Sequence, residues 1–173
     1  MFVRELFYKD IDSLKSILKF IYNHNTQCKE VIISSPINDK IRLVLENPKT
    51  ANINIKPFMM GRIINFKKYL ESLTINSNLE AQINISVIDD YLEENNKVFK
   101  IKLENNKLIV NETYENYDIK LNINTLTQLA FSYIDIQEAL ILNNINEKNI
   151  NRSLIDLLNT IFNKKDNYIN EYI

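Results

Sequence analysis

The order of apolar and polar positions divides the chain into three stretches. In the first, Phe2 to Tyr8 is rich in β-branched and aromatic residues and reads as a short strand. Asp10 or Asp12 then caps a helix whose Ile11, Leu14, Ile17, Leu18 and Ile21 recur at helical spacing. Val31 to Ser34 reads as a buried strand, Asn38 to Glu46 as a short helix stopped by Asn47-Pro48, and Asn52 to Lys56 as strand-like. Pro57 opens a different segment: Phe58 to Ile64 reads as a strand leading into a helix over Asn65 to Leu73.

The second stretch alternates with period two. Ile83, Ile85 and Val87 stand between Gln82, Asn84 and Ser86, and Phe99, Ile101 and Leu103 stand between lysines and Glu104. Asn105-Asn106 makes a hairpin turn without glycine, and Leu108 to Tyr114 returns. Ile119, Leu121 and Ile123 alternate again, so the four strands read as an antiparallel sheet with one buried face. The third stretch is helical. Thr125 is placed to cap one helix, Asp135 with Glu138 has capping-box spacing for a second through Leu142, and Asn151 precedes a third with Leu154, Leu157, Leu158, Ile161 and Phe162. The polar tail still carries Tyr168, Ile169, Tyr172 and Ile173, apolar residues that suggest docking. Strand, helix and strand first, then a sheet with its helices after it, make the fold class α+β.

Composition changes this picture in one respect. The 173 residues hold 27 Asn and 28 Ile but one glycine, Gly61. A phosphate-cradling P-loop, a dinucleotide fingerprint and the pyrophosphate loop of acetyl-CoA enzymes all need glycine amides, and none can be built here. The net charge of −1 gives no electrostatic case for nucleic acid. No apolar run reaches membrane-spanning length and Met1 to Asp10 does not resemble a signal peptide, so a cytoplasmic protein is expected. A lone Cys28 and a lone His24 exclude an internal disulfide and a cysteine-based zinc cluster. Cys28 reads as a small buried hydrophobe, and His24 as a residue at the end of its helix. Asp89, Asp90, Glu93 and Glu94 read as a solvated hairpin end, and Lys164-Lys165-Asp166 as a solvated turn.

The segment PFMMGRIINFKKYLESL, Pro57 to Leu73, resembles the C-terminal portion of GNAT acetyltransferases of the enhanced intracellular survival (Eis) type. Val3 to Ile32 is similar to the latter half of that family's middle domain. Ile123 to Ile145 is similar to the helical part of its sterol carrier protein-like C-terminal domain, and YINEYI, Tyr168 to Ile173, to its terminus. The resemblance implies two parts: residues 1–57, a partial GNAT-like middle-domain segment, and residues 58–173, a sterol carrier protein-like domain with helices packed on one face of its sheet. It implies that the family's N-terminal GNAT domain lies outside the matched portion. No cofactor site is then expected in this chain, and acetyl-CoA is expected only for a full-length enzyme. A symmetric homo-oligomer is also implied.

The site residues follow from the same resemblance. The terminal carboxylate, here that of Ile173, would act as a proton acceptor in an intact enzyme. An α-carboxylate has an ordinary pKa of roughly 3.5, so this requires desolvation or a water relay. Glu171 and Tyr172 stand beside it; Glu171 suits an acceptor pocket for a cationic amine or, more commonly, a solvated tail, and Phe58, Met59 and Met60 suit a hydrophobic or acceptor cavity or, the commoner role, an inter-domain core. Arg62 suits either a bidentate contact to a substrate anion or an ion pair joining two elements, the commoner role. The expected function is the acceptor-side and assembly portion of an N-acetyltransferase, inactive alone. The alternative is a stand-alone sterol carrier-like module that binds an apolar ligand or serves as a structural, oligomerising domain.

Overall fold

The computed structural model describes residues 1–56, 60–146 and 150–169, which fall into two compact units. The first holds the described residues before Met60 together with the tail from Asp166; the second runs from Met60 to Lys165.

In the first unit, β1 (Phe2–Val3) pairs in parallel with β2 (Ile32–Ile33), joined by α1 (Ile11–Tyr22). Asp10 caps α1 by accepting from the Ser13 amide at 2.8 Å, and Leu14 and Ile21 are its buried residues. The helix α2 (Ile41–Val44) is one turn, shorter than its apolar residues imply, and a 3-10 turn follows at Pro48–Thr50. Two strand readings shrink and one fails. The first strand stops at Val3, the second is two residues long with Ile32 53% exposed, and Asn52 to Lys56 joins no ladder. The first two runs pair only with each other over two residues, and Asn52 to Lys56 finds no neighbouring strand among the described residues. The tail docks in part: the Tyr168 hydroxyl lies 3.4 Å from the Ser34 hydroxyl.

The second unit begins with an extended segment, Met60 to Ile64, that forms no strand. The Ile63 amide donates to the Thr127 hydroxyl at 3.2 Å, so this segment is held by a side chain rather than a ladder. Asn65 caps α3 (Phe66–Glu71), accepting from the Lys68 amide at 2.8 Å. Then come β3 (Ala81–Ile88), β4 (Val98–Glu104), β5 (Lys107–Thr113) and β6 (Ile119–Asn122), in spatial order β5-β4-β3-β6. The Asn105-Asn106 turn has φ of 49° and 62°, the left-handed pair that a two-residue hairpin requires.

The sheet is mixed, not antiparallel, because β6 runs parallel to β3. The cause lies in the 114–118 connection, which is pinned across the polar face. The Asn84 side-chain amide donates to the Asn116 carbonyl at 3.0 Å, and Lys100 reaches the Glu115 carboxylate at 3.0 Å. Passing over Lys100 and Asn84, the chain arrives on the far side of β3 in the direction it left β5. The inner face carries Ile83, Ile85, Val87, Phe99, Ile101 and Leu103, all buried. Onto it pack α3, α4 (Ile123–Ala130), α5 (Ile136–Leu142) and α6 (Arg152–Ile161). Asn122, not Thr125, caps α4: Thr125 is buried, its hydroxyl accepting from the Asn143 amide at 3.1 Å. The capping box of Asp135 and Glu138 forms as its spacing implies. Lys164 is no free turn residue, since its ammonium lies 3.1 Å from Glu138 and 3.5 Å from Asp135. Among the described residues no helix is long and apolar enough to cross a membrane.

Candidate functional site

A buried polar cluster of the second unit sits where β3 ends. The inward parity of Ile83, Ile85 and Val87 continues to Asp89, so a carboxylate is carried into the core, with its side chain fully buried. Burial pushes its pKa up, but the hydrogen bonds it accepts win. The Asn95 side-chain amide donates at 2.9 Å, the Tyr91 and Leu92 amides at 3.0 and 3.1 Å, and the Arg62 guanidinium closes an ion pair. Together they hold the carboxyl at about 2, against an ordinary 3.8. Asn95 extends the knot, accepting from the Phe66 amide at 2.9 Å and donating to the Ile64 carbonyl at 3.0 Å. The entry to α3 is thus tied to the β3–β4 connection. The solvated hairpin end expected at Asp89 is corrected: continued strand parity places Asp89 inside, and an inward carboxylate must be paired.

Arg62 takes the structural role as well as a place at the surface. Its guanidinium lies 5.1 Å from the Tyr91 ring centroid, its side chain is 28% exposed, and it borders a groove of about 390 Å³. Ile63, Ile64, Asn65, Lys68, Tyr69, Ala130 and Phe131 form the other walls. Burial raises the Tyr69 hydroxyl pKa. Lys68 and Tyr69 lie in the 57–73 segment and Phe131 follows α4, but nothing in the sequence joins them; they meet because α3 and the end of α4 adjoin.

Of the other predicted site residues, Met60 is fully exposed and lines no groove described here. Phe58, Met59, Glu171, Tyr172 and Ile173 lie outside the described residues. His24 ends α1, its Nδ1 lying 2.9 Å from the Phe20 carbonyl. Cys28 is half-buried rather than a core residue, and its thiol donates to the His24 carbonyl at 3.4 Å. Among the described residues no group of three or more His, Cys, Asp or Glu could hold a metal ion. A Cβ at Gly61 would overlap the tip of the half-exposed Phe131 ring, so a side chain there would require that ring to shift.

Two families match the chain: a sterol carrier protein domain over residues 66–170, and an acetyltransferase (GNAT) domain over residues 1–63. No curated protein matches. Among solved structures, a GCN5-related N-acetyltransferase from Anabaena variabilis shares 23% identity with a TM-score of 0.76, over 99% of this chain and 43% of that one. A conserved protein from Enterococcus faecalis shares 20% with a TM-score of 0.73, over 92% of this chain and 40% of that one. Eis1 from Mycobacterium abscessus shares 15% with a TM-score of 0.70, over 99% of this chain and 43% of that one. At these identities the likeness is one of fold. The chain spans about two fifths of the length of these structures.

Proposed function

We propose a function for a chain that belongs to the sterol carrier protein domain family: it is the C-terminal, acceptor-side and assembly portion of an Eis-type GNAT N-acetyltransferase. The intact protein would move an acetyl group from acetyl-CoA to an amine such as an aminoglycoside or a lysine. The observation that carries this reading is the order of matches, a GNAT segment followed by a sterol carrier domain, in a chain with the fold of a structure named as an N-acetyltransferase. A glycine-bearing acetyl-CoA loop would come from an N-terminal GNAT domain. Phe58, Met59 and Met60 would shape the acceptor cavity, with Glu171 and Tyr172. The Ile173 carboxylate would accept the proton of the acceptor amine, while bound acetyl-CoA would supply the acetyl group and leave as the free thiol. Arg62, tied to Asp89, would hold the segment that follows Met60 in place. A cytoplasmic homo-oligomer fits this reading.

The test is a thermal shift and an acetyl-transfer assay of the 173-residue chain with acetyl-CoA. Neither stabilisation nor transfer is expected. A clear rise in Tm would mean that a cofactor site exists without a glycine loop, and would overturn the division of labour. Removing Ile173 from the intact protein should abolish most acetyl transfer; undiminished transfer would reject the carboxylate's role.

A further inference from the structure

The chain leaves α6 at the corner between α4 and α5, and two contacts of opposite polarity catch it there. Ser132, which makes the corner with φ of 54°, donates its hydroxyl to the Asn163 carbonyl at 3.2 Å. One residue further on, the Lys164 ammonium lies 3.1 Å from the Glu138 carboxylate and 3.5 Å from that of Asp135. Both acids are held in place by the capping box of α5. Asp135 accepts from the Glu138 amide at 2.9 Å, and Glu138 accepts from the Asp135 amide at 2.8 Å. The hydrogen bond to Glu138 raises the Lys164 pKa, so the ammonium keeps its charge.

Phe162 is buried, whereas Asn163 to Asp166 are exposed. Polar complementarity, not apolar burial, therefore fixes the chain just past α6. It also fixes the register. Lys165 offers a second ammonium, but seating it on the two carboxylates would slide the chain by one residue and take the Asn163 carbonyl away from Ser132. The catch stands directly before the tail, since Lys165 ends the second unit and Asp166 opens the tail.

We propose that Lys164, seated on Asp135 and Glu138 in the register that Ser132 sets, is a positioning residue for the tail. It fixes the point from which Asp166 to Ile173 departs, and so the reach of the Ile173 carboxylate. The nine residues from Lys164 to Ile173 span at most roughly 30 Å, so a slipped or released catch changes where the terminal group can arrive. This role rests on the acetyltransferase reading for what the carboxylate does; the catch itself does not.

Two measurements separate the catch from that reading. The first is amide nitrogen relaxation by NMR on the labelled 173-residue chain. Lys164→Glu sets a third carboxylate against the other two and should raise the mobility of Lys165 to Asn167, while β3 to β6 keep their shifts. Lys164→Gln should fall between, and Lys164→Arg should match the wild type. The second is steady-state acetyl transfer by the intact enzyme. Lys164→Glu should lower kcat about three- to fivefold, the scale of two exposed ion pairs, with KM for acetyl-CoA unchanged and Lys164→Arg restoring the rate. Unchanged mobility in Lys164→Glu would overturn the catch. Unchanged kcat in Lys164→Glu, where removal of Ile173 abolishes transfer, would overturn the positioning role alone. Undiminished transfer after removal of Ile173 would overturn the carboxylate's role, and the positioning role with it, whatever the relaxation shows.

Discussion

The two units treat their apolar residues in opposite ways. Residues 60–165 gather theirs into one cluster, with Phe66, Leu70, Phe99, Ile101, Leu103 and Leu126 all at 1% exposure or less. Among the described residues of the first unit, Leu14 and Ile21 are the buried apolar side chains, while Phe7 is 80% exposed, Leu43 76% and Ile55 71%. A two-stranded parallel sheet is also less than such sheets need, because parallel strands are ordinarily covered on both faces by further elements. The second unit supplies its own core. The first leaves large apolar side chains exposed among its described residues.

Substitution in the core should break the comparison most visibly. Phe99→Ala removes a ring that packs edge-on against Phe66 at 5.4 Å and should cost about 3–5 kcal/mol in denaturant unfolding. Leu14→Ala should leave the transition of the second unit in place; a matching loss there would mean that the two units unfold as one.

Next comes the polar knot. Asn95→Leu strips partners from the Phe66 amide, the Ile64 carbonyl and the Asp89 carboxylate, at about 1–3 kcal/mol. Urea titration with a probe in α3 would check this. A loss under 0.5 kcal/mol, small beside the cost of about 1–3 for a stranded buried group, would show that water replaces the side chain.

Acid should act through Asp89 on the same scale. Its folded pKa, about 2, lies below the ordinary 3.8, so its stabilisation is complete above the higher value and disappears as pH falls through the lower. That amounts to about 2 kcal/mol. Unfolding midpoints between pH 5 and 2 should fall in the wild type and much less in Asp89→Asn.

The smallest effect should come from the hairpin. Asn106 holds φ of 62°, which glycine adopts without strain, so Asn106→Gly should raise stability by about 0.5 kcal/mol. A destabilisation would mean that the Asn side chain holds the turn.

What could be read beforehand follows the same division. Ala81 to Ile88 was legible because every second residue is apolar and its partners lie in the chain. The Asn-Asn turn and the Asp135–Glu138 box were legible because their chemistry is local. The parallel sense of β6 was not, since alternation carries no direction and the crossing depends on Asn84 and Lys100 meeting 114–118. In the first unit the run of Phe2 to Tyr8 pairs over only two residues, and that of Asn52 to Lys56 has no neighbouring strand among the described residues. At the site, Arg62 could be singled out as an ion pair, but its partner Asp89 was hidden among acids that do face solvent.

Hydrogen exchange of the full chain tests the contrast most directly. The amides of Ile83, Ile85 and Val87, within a four-stranded sheet over a buried core, are expected to be protected by many orders of magnitude more than those of Val3, Ile32 and Ile33. Comparable protection in the two sheets would contradict the contrast between a unit with its own core and a unit that leaves its apolar side chains exposed.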